Sequence, residues 1–311
     1  MTNVSYNNGF ENKKSLNEQV NDIINGKGSR KAKIDALVKL GFMPNEISFI
    51  LPVVPSVPTN PRFRYTFGVE IETAGMNKSL FINTAEANGL SVYDHMGQYA
   101  GCHVDINRFK LVPDGSIQGY NPAECVTPAL DGNTNGFAQL KACCDALNLS
   151  GAQANYSCGL HVHIGAAGMT GEQYVNVFKN YQRLEAVIDT FMARSRRGSN
   201  CEWAHTLRGH DFNHCHNVDD VVLEFNGSRY QKVNPCSYSR HKTIEFRQHQ
   251  GSTNYTKIKN WVNFCAKLVA YSMNNVLDSY ITSIDEIPFL NATEKRYFKG
   301  RAEVLSGSQA A

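Results

Sequence analysis

Residues 67–73 read FGVEIET. Phe67, Val69 and Ile71 alternate with Gly68, Glu70 and Glu72, the period of a strand with two unlike faces. Glu70 and Glu72 share the second face, their carboxylates about 7 Å apart along the strand. Two carboxylates side by side repel each other unless something cationic sits between them. An exposed edge strand wearing charge for solubility explains a lone E-x-E about equally well. Further polar clusters on strand-like segments shift the balance toward a carboxylate- and histidine-lined face, a surface that holds divalent cations.

The first of these follows Asp114-Gly115-Ser116, a turn. Residues 121–126 then read as a strand that brings Glu124. Residues 157–165 (SCGLHVHIG) put Leu160, Val162 and Ile164 on one face and His161 and His163 on the other. Residues 243–248 (TIEFRQ) form another two-faced strand, offering Glu245 and Arg247. Taken singly, the histidines fit a core strand with satisfied imidazoles, Glu245/Arg247 an ordinary surface pair, and Asp114-Gly115-Ser116 a plain turn. Together they fill a sheet face that would otherwise be apolar. Placing seven ionisable groups there is costly unless ions and a ligand compensate, and that cost argues for function.

The chain has 311 residues, 42% hydrophobic and 19% charged, enough for one large domain with an appendage. No run of about 18 apolar residues exists, so no membrane span or membrane partner is expected. The N-terminus lacks an apolar signal region. Nine scattered cysteines, an odd number, favour reduced thiols and a cytoplasmic location. Residues 1–62 hold eight Lys/Arg against five Asp/Glu, which equals the whole chain's net charge of +3. A broad nucleic-acid surface on the main body is therefore not indicated.

Ser15-x-x-Glu18 has the form of a capping box, followed at helical spacing by Leu16, Val20, Ile23 and Ile24. Residues 29–40 form a second amphipathic segment, and residues 44–51 a short third helix. A small helical bundle outweighs nucleic-acid contact as the reading of residues 1–51. Pro52, Pro55, Pro58 and Pro61 mark a stiff linker over residues 52–64, so residues 65–311 are the main domain. Within it a strand is expected over residues 102–111. Helices are expected over 136–149, from Thr170-x-x-Gln173 to about residue 194, and over about 256–275. Strands interleaved with helices make the body α+β or antiparallel α/β, with the sheet as the floor of the site.

The motifs FGVEIE, Asp114-Gly115-Ser116, ECVTPAL, SCGLHVHIG, Ser195-Arg196-Arg197 and TIEFRQHQG, with Trp261 downstream, resemble in their order the amidoligase family. That family is similar to the carboxylate–amine ligases that include glutamine synthetase and γ-glutamylcysteine synthetase. The resemblance covers about residues 65–275. It implies a curved antiparallel sheet of glutamine-synthetase-like type flanked by helices, and ATP-dependent amide-bond formation with Mg²⁺, or Mn²⁺, on the concave face. It implies that Glu72 and Glu124, helped by Asp114, hold a metal near the reacting carboxylate. Glu70, His161 and Glu245 would hold the metal that bridges the ATP phosphates. Arg247 would bind the γ-phosphoryl group, His163 would face the acyl substrate, and Arg196 and Arg197 would bind phosphate or substrate.

The chemistry agrees. Activating a carboxylate as an acyl phosphate is mostly positioning and charge neutralisation. Mg²⁺ takes oxygen ligands, and an arginine beside a metal-bound carboxylate suits a phosphoryl oxygen pair. No Gly-rich Walker loop is present, leaving phosphates to metals and side chains. A metal-dependent amide hydrolase and a non-catalytic binding protein on the same fold are the other classes. The carboxylate and amine substrates stay open: the acceptor can be an amino acid, a polyamine, a peptide or a protein side chain. Cys201, His205, His210, His214, Cys215 and His216 invite a zinc site, although their spacing fits no standard pattern.

Overall fold

The structure, a computed structural model, describes residues 14–43, 65–97 and 107–307. The expected third helix over 44–51, the linker over 52–64 and the first half of the strand expected over 102–111 lie outside those residues. The chain divides into two compact units, residues 1–54 and residues 55–311.

In the first unit, helix α1 (Leu16–Asn25) opens with the capping box: Glu18 N–H donates to Ser15 Oγ, and Ser15 N–H donates to the Glu18 carboxylate at 2.8 Å. Helix α2 (Arg30–Lys39) starts at Ser29, whose hydroxyl accepts from Ala32 N–H. Lys33 Nζ donates to Ile24 O at 2.7 Å, and Leu37 is buried.

The second unit is built on an eight-stranded, mostly antiparallel, open sheet. Its elements in chain order are β1 (Thr66–Thr73), α3 (Lys78–Ala87), β2 (Val92–Asp94), β3 (Phe109–Val112), β4 (Ala123–Val126), β5 (Leu130–Asp131), α4 (Gly136–Leu149), β6 (Gly159–Gly165) and α5 (Gly171–Thr190). Then come α6 (Val218–Glu224), β7 (Val233–Asn234), α7 (Ser237–His241), β8 (Thr243–Gln250), α8 (Tyr255–Ser272) and α9 (Ala292–Gly307). The strand order is β2-β3-β4-β1-β6-β8-β7, with β5 also on β1. Only the β2–β3 pair is parallel.

One face of this sheet makes the core. Phe67, Val69 and Ile71 of β1, Leu160, Val162 and Ile164 of β6, and Ile244 and Phe246 of β8 are all buried. They join Leu140, Cys144 and Leu147 of α4, Tyr174, Phe178 and Tyr181 of α5, and Trp261, Cys265 and Leu268 of α8 in one cluster. The helices lie where their apolar stripes predict, and α5 begins with the expected Thr170–Gln173 capping box. It stops at Thr190, short of the expected end, and the Ser195-Arg196-Arg197 motif falls on a separate 3₁₀ turn, Arg194–Arg196. No described helix is long and apolar enough to cross a membrane.

β6 and β8 are out of step at one point. Leu160 faces His249 while Val162 faces Phe246, so Arg247 and Gln248 together oppose His161 alone. Such a bulge bends the strand and re-aims its side chains.

Candidate active site

Sheet register assembles the polar face. Glu72 pairs with Glu124 across β1–β4, Glu70 with His161 across β1–β6, His163 with Glu245 across β6–β8, and Glu245 with Asn234 across β7–β8. Directly paired residues send side chains to the same side, so alternation within each strand becomes a polar row crossing five strands.

Along that row three groups of potential ligands bring one donor atom each within 4.8 Å of one another: Glu72–Asp114–Glu124, Glu70–Glu124–His161, and Glu70–His163–Glu245. Glu124 and Glu70 each belong to two groups, so the three are contiguous. His161 Nδ1 lies 2.9 Å from Glu70 Oε2, and its Nε2 lies 3.6 Å from Glu72 Oε1. His163 Nε2 lies 3.3 Å from Glu70 Oε1 and 3.9 Å from Glu245 Oε2. The sequence reading set His161 with Glu70 and Glu245 and turned His163 toward an acyl substrate. His163 also reaches Glu70 and Glu245, while His161, 2.9 Å from Glu70 and 4.0 Å from Glu245, groups with Glu70 and Glu124 as well. The β6–β8 register is the reason, because it pairs His163 directly with Glu245.

Counter-charge is uneven along the row: Glu70 and Glu245 have cationic partners, while Glu124 faces other carboxylates. Burial, reinforced by Glu70, Glu72 and Asp114, pushes Glu124 well above the usual carboxylate range. Burial also opposes ionisation of Glu70, but hydrogen bonds and charge from His161 and His163 outweigh it and hold Glu70 well below that range. Glu245 is likewise held down against burial, by His163 and Arg247. His163 is pushed up despite burial because Glu245 and Glu70 favour its protonated form. A cation bound along the row would compete with the protons that these shifts favour on Glu124 and His163.

The donors fit a hard divalent ion. Five carboxylates supply oxygens, as Mg²⁺ or Mn²⁺ prefers, and two imidazoles are compatible with that set. His163 Nδ1 lies 2.9 Å from Thr243 Oγ1, while its buried Nε2 is turned toward Glu70 Oε1 at 3.3 Å and Glu245 Oε2 at 3.9 Å. A ring oriented at one nitrogen with the other turned to carboxylates is the arrangement a metal-binding histidine uses. Gly159 makes the convergence possible. A Cβ there would stand 3.1 Å from His161 Nε2, 3.4 Å from Glu72 Oε1 and 3.5 Å from Arg196 Nη1.

Beside the Glu72 end lies a cavity of about 340 Å³. Glu72, Asp114, Ser116, Ser157, His161 and Arg196 line it, together with Trp203, Arg229, Tyr230 and Arg247. Arg247 Nη1 donates to Glu245 Oε1 at 2.6 Å and its Nε donates to Trp203 O at 3.2 Å, so Arg247 ties the polar row to the Trp203 side of the cavity. Arg197 does not line the cavity; its Nε donates to Met192 O.

The Trp203 side of the cavity is fixed from behind. Glu185 and Asp189, both on α5, accept from the fully buried Lys232 Nζ at 2.7 Å each. Asp189 also accepts from Gly198 N–H, Arg208 Nη2 and Gln248 Nε2, and Glu185 from Leu207 N–H and the Thr206 hydroxyl. The loop from residue 198 to 208 is thereby pinned to a helix and to β8.

Sequence reasoning did not find Trp203, Arg229, Tyr230, Lys232, Asn234 or Thr243. Only Thr243 and Asn234, one on a recognised strand and one beside it, carried a local pattern that could have exposed them. The Cys/His segment does not assemble a centre. Among the described residues no three of its side chains meet at ligand distance; His210 and His214 pair instead with Glu224, at 3.0 and 3.3 Å.

A family model described as "Putative amidoligase enzyme" matches residues 64–269, which include every residue of the polar row and of the cavity. No curated protein matches the chain.

Proposed function

The chain belongs to the amidoligase family, and from that premise we propose that it is an ATP- and Mg²⁺-dependent carboxylate–amine ligase working through an acyl phosphate on a glutamine-synthetase-like sheet. The observation that carries this reading is the contiguous row of three ligand groups on one sheet face, ending at a cavity.

Glu72, Asp114 and Glu124 would hold one cation beside the cavity. Glu70, His163 and Glu245 would hold another, with His161 between them. Bound there, Mg²⁺ or Mn²⁺ would neutralise phosphate charge and draw the reacting carboxylate and the γ-phosphoryl group together. Arg247, oriented by Glu245, offers its remaining N–H groups to the transferring phosphoryl oxygens. A substrate carboxylate oxygen attacks the γ-phosphorus and ADP departs. The amine then attacks the acyl carbon, phosphate leaves, and one proton is released.

The test is ADP release with Mg²⁺, ATP, a panel of carboxylates and a panel of amines, with amide product followed by mass spectrometry. Release requiring both organic partners supports the ligase. Cleavage of an amide without nucleotide would identify a metal-dependent amide hydrolase, and nucleotide binding unaffected by EDTA would remove the metal-bridged site.

A further inference from the structure

Three polar side chains behind the Glu70–His163–Glu245 group have no part in the ligase chemistry. They come from one short stretch of chain: Asn234 ends β7, Ser237 opens α7 and Thr243 opens β8. Asn234 and Ser237 are buried, 6% and 3% exposed, and buried polar groups need partners. Here the partners include two of the three candidate ligands.

Asn234 Nδ2 donates to Glu245 Oε2 at 2.6 Å, while its Oδ1 accepts from Cys236 N–H at 2.8 Å. The backbone donor decides which end of the amide is which, so the NH₂ faces the carboxylate. Arg247 Nη1 takes the other oxygen, Oε1, at 2.6 Å. Glu245 is thus held at both oxygens, and the one on Asn234 is the one 3.9 Å from His163 Nε2. An ionised carboxylate has about four lone-pair sites, so each oxygen keeps capacity for a cation.

His163 is braced from the same stretch. Its Nδ1 lies 2.9 Å from Thr243 Oγ1 and 3.4 Å from Ser237 Oγ, and the two hydroxyls lie 2.9 Å apart. A hydroxyl accepts as well as donates, so this pair can receive the Nδ1 proton. Which ring nitrogen binds a metal is set by the hydrogen bond the other one makes. With Nδ1 engaged behind, Nε2 is the nitrogen offered to an ion between Glu70 and Glu245.

We propose that Asn234, Ser237 and Thr243 are positioning residues for the cation held by Glu70, His163 and Glu245. The hydroxyl pair keeps the His163 proton on Nδ1, and Asn234 sets the angle of the Glu245 carboxylate. This rests on the metal-dependent reading of the row. Burial alone explains why each of the three is hydrogen-bonded; it does not explain why all three act on ligands of one group.

The test is Mn²⁺ binding to the full chain without nucleotide, read from the electron paramagnetic resonance of the free ion. Variants are made in an Asp114→Asn background, which weakens the group at the Glu72 end and leaves the ion beside His163 to be read. Thr243→Val and Asn234→Leu keep the shape and lose the polar contact, and each should weaken Mn²⁺ binding about tenfold or more, as removal of an outer partner of a metal ligand does. Thr243→Ser restores the hydroxyl and should stay close to the parent, and Ser237→Ala, which removes the longer contact, should cost less than Thr243→Val. Melting temperatures in EDTA show whether each variant is folded. Parental affinity in both Thr243→Val and Asn234→Leu overturns the proposal. So does an equal loss in Thr243→Ser, which would make packing and not the hydroxyl responsible. If Thr243→Val does not fold, Ser237→Ala carries that half of the test, and parental affinity there overturns it. The two readings fail separately. ADP release by the wild-type chain with Mn²⁺ affinity unmoved in the variants leaves the ligase and removes the positioning role. Weakened Mn²⁺ binding without ADP release from any pair of partners leaves the positioning role and removes the ligase.

Discussion

A single missing methyl group at Gly159 lets His161, Glu72 and Arg196 converge, while its own N–H donates to Glu72 Oε2 at 2.6 Å. Gly159→Ala keeps that N–H but brings a methyl to 3.1 Å from His161 Nε2, tighter than an ordinary contact, so the imidazole must shift. Displacements of a few tenths of an ångström suffice to spoil reacting geometry, so turnover should fall about tenfold or more. The melting temperature should barely change, which thermal unfolding beside a turnover assay checks. Arg247→Lys asks a different question. If the guanidinium contacts the transferring phosphoryl group, Lys keeps the charge and loses the fork. Single-turnover ADP release should then drop by about 10² while ATP affinity stays, the loss typical of one preorganised donor. A lysine variant with wild-type rate would reduce Arg247 to the structural partner of Glu245. Residues of this kind were legible in sequence because they alternate with apolar neighbours: Glu70 between Val69 and Ile71, His161 and His163 around Val162. Arg229 and Trp203 were not, since they stand in irregular chain that only tertiary packing brings to the cavity.

Elements locate the site through register, and register is where the sequence fell short. Strand faces follow from alternation, but which residue faces which depends on pairing, and the β6–β8 bulge breaks the simple count. That is why His163 joins His161 beside Glu70 and Glu245, which the strand faces alone did not indicate. The helix ends were also set by long-range contacts: α5 stops at Thr190, and Asp189, within its last turn, takes up donors from three other segments. Lys232 is the centre of that junction. Lys232→Met would leave Glu185 buried without its cation and should destabilise the protein by about 3–5 kcal/mol, measured by urea unfolding. Adding Glu185→Gln to that variant should recover part of the loss, because the stranded charge goes with it. A Lys232→Met chain as stable as wild type would mean that water or rearranged neighbours compensate for the missing ammonium.

Over the whole molecule, the division at residue 54 predicts that a chain beginning at residue 55 unfolds cooperatively and still binds Mg²⁺, since every site residue lies beyond it. Calorimetry of that truncation, with and without metal, checks it. The pH dependence of stability should show two limbs of different origin. On the acid side, burial depresses His249 from 6.5 to about 3. The unfolded chain takes up that proton first, so stability is lost as pH falls from about 6.5 toward 3, by at most ~1.4 kcal/mol per pH unit. Glu70 and Glu245, held below their ordinary 4.5, add to the loss once pH drops under that value. On the alkaline side the sign reverses. His163 is raised above 6.5, so the folded state binds more protons there and stability is lost as pH rises through its folded value; Glu124, raised above 4.5, acts in the same sense from that lower pH upward and opposes part of the His249 limb. Mg²⁺ should replace those protons, releasing them on binding, and should flatten the alkaline limb while leaving the His249 limb in place. His249→Gln should do the opposite, reducing the acid slope by about one proton and sparing the alkaline limb. Urea midpoints between pH 4 and 9, in EDTA and in Mg²⁺, measure both. An alkaline limb equally steep with and without the ion would mean that the carboxylate row carries its charge for some purpose other than holding metal.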